Sequence, residues 1–321
     1  MAYTTIDDPS AHFQVKTYSG NSTQTAITYD GNSNLQPDWI WAKSRSNAHY
    51  HDWRDTSRGL TKRLTSNENN AEDTKSASYV SFDSNGFTLG DDQSGGSNAN
   101  TVNSSSNNYV SWGWKANGGT TSSNGNGSVT STVQANTTAG FSIVTYTGTG
   151  SGNTIGHGLG VTPDWITVKV RSTTNNWGVW HQDLGGANKY LKLNTDDSTI
   201  TATDVWNNTL PTSTVFSTGA AGTSNDSGET YVAYCFTSIK GYSKFGSYTG
   251  NYNADGPFIY TGFKPALVIV KKSSGSGDWR ITDNKRDPFN IVDGRIKPNS
   301  SDAEDSSDQF DYLSNGFKVR A

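Results

Sequence analysis

The chain is 321 residues long, 31% hydrophobic, 12% aromatic and 17% charged, with 10 Trp, 15 Tyr and 12 Phe. Disordered chains are poor in such large core-forming side chains, so this aromatic content argues for folded cores beneath very polar loops. A net charge of −4 supplies no basic field for a phosphate backbone, and the lone Cys235 excludes an intramolecular disulfide framework.

The opening "MAYTTIDDPSAHF" has neither a basic region nor an apolar core, so no secretory signal is read there. Next, "FQVKTYSGN" at 13–21 begins a pattern that returns as "FSIVTYTGT" at 141–149 and "FGSYTGN" at 245–251. Each copy leads into a strand announced by proline: "LQPDWIWAKSRS" at 35, "VTPDWITVKVRS" at 161 and "FKPALVIVKKSS" at 263. A Trp-bearing segment follows, in which Trp53 corresponds to Trp177 or Trp180 and to Trp279 as a core residue. The Phe-bearing segments "SFDSNGFTLG", "TSTVFSTGA" and "DYLSNGFKVR" come next, and the aromatic closing strands are "NNYVSWGWKANGG" at 107 and "ETYVAYCFTSIKGYS" at 229.

Period-two alternation, β-branched and aromatic residues, and boundaries of Gly, Asn, Ser and Pro predict an all-β fold. No window keeps a 3.6-residue period, and the expected architecture is tandem antiparallel β-sandwich modules of jelly-roll or lectin-like type. The boundaries expected are 1–117 for module 1, 118–128 for a flexible linker, 129–243 for module 2 and 244–321 for an incomplete module 3. The slack linker predicts that module 1 pivots, whereas the short joint at 236–250 couples modules 2 and 3 rigidly. The apolar run at 266–270 is far too short to span a bilayer.

Together, "MAYTTIDDPSAHFQVKTYSGN", "DGNSNLQPDWIWAKSR", "SFDSNGFTLG", "YVSWGWKANGGTTSSNGNGS" and "NTIGHGLGVTPDWITVKVRS", with the later "YVAYCF" and "DGPFIYTGFKP", resemble a family. They are similar to the repeated β-domain of virion structural and tail-fibre-like proteins of marine tailed phages, of the cyanophage type. That domain has no assigned biochemical function, and the likeness covers essentially the whole chain. The resemblance implies a place on the virion surface after synthesis in a bacterial cytoplasm, and no catalytic activity. The leading expectation is a tail fibre or appendage that recognises a host surface glycan or a neighbouring virion protein, with a homo-oligomer, a trimer for a fibre, as the expected state. The alternatives are a capsid decoration protein, a stand-alone lectin-like carbohydrate-binding protein and, third, a polysaccharide-degrading enzyme.

Four tyrosines, Tyr242, Tyr248, Tyr252 and Tyr260, cluster around the joint of modules 2 and 3. Beside Asn, Asp and Gly loops such rings stack on sugars or form interfaces, the alternative being that they pack the two modules together. In "HYHDWRD", alternation places His49 and His51 on one face, where they and Asp52 form a candidate metal site against the reading of an exposed polar strand face. No cofactor is expected. Ca²⁺ is the alternative in acidic loops carrying Asp91, Asp92, Asp196, Asp197, Asp302, Glu304, Asp305 and Asp308, against the reading of solvated surface loops. No nucleophile elbow, zinc-protease motif or catalytic cysteine context appears, and "GHGLG" around His157 reads as a turn.

The ending "DYLSNGFKVRA" repeats "SFDSNGFTLG", which elsewhere precedes a closing strand. Module 3 is therefore expected to present an open assembly edge at Phe317 and Val319. Continuation of the chain is the preferred source of the missing strand, and donation by another chain is the second.

Overall fold

The computed structural model describes residues 4–91 and 102–320. The first repeat forms β1 (Phe13–Ser19), β2 (Thr25–Thr28), β3 (Trp39–Ser44), β4 (Asp52–Asp55), β5 (Lys62–Arg63), β6 (Asp73–Thr74), β7 (Tyr79–Asp83), β8 (Gly86–Leu89) and β9 (Asn108–Trp114). The second forms β10 (Ser122–Asn124), β11 (Ser131–Asn136), β12 (Phe141–Thr147), β13 (Asn153–Gly156), β14 (Trp165–Val170), β15 (Gly178–His181), β16 (Lys189–Lys192), β17 (Ile200–Thr201), β18 (Val215–Thr218) and β19 (Thr230–Phe236). The third forms β20 (Phe258–Tyr260), β21 (Leu267–Val270), β22 (Arg280–Asp283), β23 (Val292–Arg295), β24 (Asp305–Leu313) and β25 (Gly316–Val319). The fold is all-β with several antiparallel sheets, as the alternation predicts.

One strand order recurs. The first repeat has β1-β9-β3-β4, and the second embeds β12-β19-β14-β15 in a larger sheet. In both, the closing strand lies between the opening strand and the proline-led strand. A smaller sheet, β2-β8-β7 in the first repeat and β13-β18 in the second, covers one face. The β7–β8 and β24–β25 hairpins share a two-residue turn, Ser84-Asn85 and Ser314-Asn315, followed by glycine. Gly86 has φ of 115°, and a Cβ there would sit 2.0 Å from the Ile27 carbonyl oxygen, so both conformation and space require glycine.

The proline-led strand is buried on both faces because it serves two cores. In β3, Ile40 and Ala42 face the repeat's own core with Tyr29 and Phe87, while Trp39 and Trp41 face another. That second core is common to the whole chain: Trp39, Trp41, Trp53 and Trp112 pack with Phe141, Trp177 and Tyr234, and with Trp279, Ile281 and Ile296. Trp39 stacks on Trp114 at 4.2 Å and on Tyr234 at 4.8 Å, and Trp53 lies 4.7 Å from Trp177. Each buried indole removes on the order of 200 Å² from water, so this shared cluster is a dominant source of cohesion.

The shared core overturns the expectation of a pivoting first module on a slack linker. Residues 118–128 are not slack. Asp38 accepts from the backbone N–H groups of Ala116, Gly118 and Gly119 at 2.7, 2.9 and 2.7 Å. Gln134 accepts from Asn117 and Gly119 while donating to Thr56 and Ser57, and Ser122–Asn124 then pairs with Ser131–Asn136 as an edge strand. The low-complexity composition reflects positive φ at Gly118 (61°) and Gly119 (79°), which bend the chain around the Asp38 carboxylate.

Candidate functional site

Where the three repeats meet, their contacts form a cycle. His51, Trp177 and Trp279 occupy one structural position: the backbone N–H of each donates to an asparagine, Asn67, Asn194 and Asn299 respectively, at 3.0, 3.0 and 2.9 Å. Two residues before each asparagine stands a carbonyl that receives the ring nitrogen of the next repeat. Trp177 Nε1 donates to Thr65 at 3.0 Å, Trp279 Nε1 to Lys192 at 2.8 Å, and His51 Nε2 lies 3.0 Å from the Lys297 carbonyl. The second repeat thus bonds the first, the third the second, and the first the third. Three head-to-tail contacts of one kind close on themselves, as in a cyclic oligomer, here within one chain.

This equivalence corrects the alignment of Trp53 with Trp177 and Trp279. Trp53 faces Trp41 across the β3–β4 pair, where Val179 faces Thr167 and Ile281 faces Ile269, so Trp53 matches Val179 and Ile281. The sequence spacing misled because the whole segment is shifted by two residues, which a period-two strand accommodates without changing face.

Charge pairs repeat around the same cycle. Asp55 receives Arg58 and, at 2.7 Å, the Tyr234 hydroxyl from the second repeat. Asp283 receives Arg286 and, at 3.1 Å, the Trp112 indole from the first. Glu72 joins Arg58 to Arg171, both at 2.9 Å, and Glu304 joins Arg286 to Arg45 at 2.8 and 2.7 Å. Burial alone would raise the Glu72 and Glu304 carboxyls, but the bonds to their two arginines hold both below the usual range. Sequence reasoning read Glu304 as part of an acidic loop and passed over the pairs; the available signal was the Asp-x-x-Arg spacing shared by Asp55/Arg58 and Asp283/Arg286.

The proposed metal set is not brought together. His51 is fully buried, its Nδ1 accepting from Trp41 Nε1 at 2.7 Å while Nε2 faces Lys297, so both ring nitrogens are committed. Asp52 is held by Arg54 at 2.7 and 3.1 Å. Neither a metal site nor an exposed polar face describes the segment: Asp52–Asp55 is an interior strand, His49 lies partly buried ahead of it, and desolvation pushes the His51 imidazole down to about 3. Among the described residues no three His, Cys, Asp or Glu side chains are placed to hold an ion. The acidic loops are tied to cations or hydroxyls instead: Asp197 to Lys192, Asp196 to Ser276, Asp302 to Lys297 and Asp305 to Arg295. Asp92 and the Asp308 side chain lie outside the described residues.

Desolvation likewise brings Lys43 and Lys169 down to about 7 and raises the Cys235 thiol far above its ordinary value. Each is buried within the packed sheets, Lys169 donating to the Asn69 carbonyl at 3.2 Å. His157 is buried too, its ring set between the Leu159 N–H and the Thr212 carbonyl.

The tyrosines separate into two groups. Tyr242 is half-buried against His12 of the first repeat, ring centroids 6.0 Å apart, so it packs repeats together. Tyr248, Tyr252 and Tyr260 are exposed on the third repeat at 39%, 103% and 55%. The Lys244 ammonium lies 5.9 Å from the Tyr260 ring centre, and Tyr248 meets Phe317 edge-on. Elsewhere, a depression of about 420 Å³ is lined by amides and hydroxyls, among them Asn117, Asn124, Asn126 and Thr214, with no titratable side chain.

Phe317 and Val319 are not an open edge. They lie in β25, which pairs with β20 on one side and β24 on the other, and Phe317 is buried. The short strand Phe258–Tyr260, hidden in the "DGPFIYTGF" loop, covers the edge that the sequence left open.

A comparison with known proteins matches residues 8–321 to a single family. The chain belongs to the family described as a domain of unknown function, DUF7483. The matched span takes in all three repeats. No curated protein and no solved structure matches the chain.

Proposed function

We propose that the protein is a non-enzymatic structural and recognition component of a tailed-phage virion surface, a tail fibre or appendage that binds a host glycan or a neighbouring virion protein. The virion placement rests on the resemblance of the repeated motifs. The recognition role rests on one observation above all: Tyr252 and Tyr260 stand exposed on the third repeat, Tyr260 beside Lys244. Exposed tyrosines bring large, rigid contact area and a hydroxyl at low entropic cost, which suits sugar rings and protein surfaces alike. The displaced titratable groups, His51, Lys43, Lys169 and Cys235, are all turned into packing, which supports a protein without turnover chemistry. The two facing sheets of the first repeat, closed around Ile27, Tyr29, Ile40 and Phe87, support a lectin-like sandwich as the finer reading of the fold.

The test is twofold. Density for this chain on an intact particle decides between a fibre and a capsid decoration, and its absence from particles sinks the virion reading. A glycan array with the wild type and with Tyr252→Ala/Tyr260→Ala should show binding that the double variant loses at least tenfold. Equal binding by both removes the tyrosines from the site. Turnover of host polysaccharide overturns the non-enzymatic reading, and a mass measurement reports whether a homotrimer forms.

A further inference from the structure

The Gly-, Asn- and Ser-rich stretch that leads into the second repeat lines a cleft of about 420 Å³. Past the turn at Gly118 and Gly119, β10 runs along the outer edge of the eight-stranded sheet. Its hairpin with β11 has no counterpart ahead of β1 or β20 among the described residues. Ser122, Asn124 and Asn126 line the cleft from this stretch, with Val133 and Ala135 of β11 beside them. Loops 157–164 and 202–214 of the second repeat supply Gly160 and Ser213.

These elements are held in place by the fold itself. The buried His157 ties the two loops together: its Nδ1 accepts from the Leu159 N–H at 3.2 Å, its Nε2 donates to the Thr212 carbonyl at 3.1 Å, and its backbone N–H donates to the Thr214 carbonyl at 3.2 Å. The hairpin is anchored as well. The Ser128 N–H donates to Thr154 Oγ1 at 2.8 Å, and the Ser131 hydroxyl donates to the Gly156 carbonyl at 2.7 Å. Asn124 lies so close to Gly156 that a Cβ there would sit 2.1 Å from Asn124 Oδ1, which accepts from the Asn126 N–H at 2.9 Å. A pre-formed site spends little binding energy on ordering itself.

We propose that this cleft is a binding site for a neutral saccharide, built of different residues from the exposed tyrosines of the third repeat. It shares with the proposed function only the class of ligand and needs neither those tyrosines nor the virion placement. The lining selects the ligand. It holds no titratable side chain, so an acidic sugar, a phosphate or a charged peptide would give up hydration and meet no counter-charge. A neutral sugar hydroxyl calls for a donor and an acceptor together, and side-chain amides and hydroxyls supply both. Ser122, Asn126 and Ser213 are exposed, so their polar groups face water that a ligand can replace. Val133 and Ala135 put methyl groups in the lining for the C–H face of a sugar ring, and the same two loops carry Val161 and Leu210, 48% and 57% exposed. The volume lies within the roughly 300–1,000 Å³ of small-molecule sites. An extended peptide fits less well: it would pair along β10, which offers only three residues, and leave the loop side of the cleft unused.

The probes are neutral trisaccharides of glucose, galactose, mannose and N-acetylglucosamine, with uronic-acid and sulfated trisaccharides beside them, each added to the whole protein at millimolar concentration. Amide hydrogen exchange with at least one neutral probe should slow at 122–126, 158–160 and 212–214 together. Ser122→Trp fills the cleft from an exposed strand position and should weaken that binding at least tenfold. Asn126→Ala should weaken it roughly fivefold, the value of one neutral hydrogen bond. Should Ser122→Trp fail to fold, Asn126→Ala/Ser213→Ala serves in its place, with a loss of more than tenfold expected. Tyr252→Ala/Tyr260→Ala should keep the protection unchanged, which separates this site from the tyrosines. The proposal is overturned if no neutral probe protects these amides, if the acidic probes protect them better, or if a pool of random heptapeptides protects 122–124 in place of the sugars. Protection that the tyrosine variant loses and the cleft variants keep also overturns it, and leaves the tyrosine reading standing.

Discussion

Trp279 donates its indole N–H to the carbonyl oxygen of Lys192 at 2.8 Å, and Trp177 does the same to Thr65 at 3.0 Å. One hydrogen bond, used twice and matched by His51 at Lys297, locks three repeats into a cycle. Replacing Trp177 or Trp279 with Phe keeps most of the ring volume but strands a buried carbonyl. Each variant should lose about 1–3 kcal/mol in urea denaturation. The transition should remain single in the wild type, because the repeats share a core; separate transitions for the first repeat would count against the shared-core account.

Glu72 neutralises Arg58, whose side chain is 0% exposed, and Arg171 at once. Glu72→Gln removes the second carboxylate from Arg58, which keeps Asp55, and should cost about 1–3 kcal/mol. Glu304→Gln, the equivalent change between Arg286 and Arg45, should cost a similar amount, and equilibrium unfolding of both variants measures it.

Acid should weaken the fold through His51. The folded imidazole is held down to about 3 by desolvation, against an ordinary 6.5, so the unfolded chain binds a proton that the folded chain refuses. The contribution is fully present above pH 6.5 and is lost on acidification towards pH 3, up to about 5 kcal/mol. Denaturation midpoints at pH 7, 6 and 5 should fall in order, and His51→Gln should flatten that dependence.

Lys43 and Lys169 act at the other end of the scale. Their ammonium groups are brought down to about 7 by burial, so between pH 7 and 10 the unfolded state again binds more protons. Stability should therefore rise with pH across that window, and Lys169→Met should remove part of the rise. A flat or falling profile would show that both amines stay charged inside the fold.

Cys235 is fully buried, and desolvation raises its thiol, so native protein should resist a thiol-specific disulfide reagent. Full reaction should appear only in denaturant. Asp38→Ala tests the ordering of 116–119: the variant should be cut by protease at 118–128, where the wild type resists.

The sequence by itself determined the strand content and the three repeats. These are local properties, set by period-two alternation and by the Gly, Asn, Ser and Pro clusters that bound each strand. It also gathered Tyr242, Tyr248, Tyr252 and Tyr260 around one joint, and the structure decided which of them are exposed. What it could not decide was which face of a strand meets which core. Trp39 and Ile40 are both apolar, and only the docking of the second repeat makes one serve the shared centre and the other its own sheet. For the same reason His51 resembled a surface ligand until the third repeat buried it, and the glycine-rich 118–128 stretch resembled a tether until Asp38 gathered its amides. Those outcomes depend on partners far away in sequence, Lys297 for His51 and Asp38 for Gly119, and a local pattern carries no record of them.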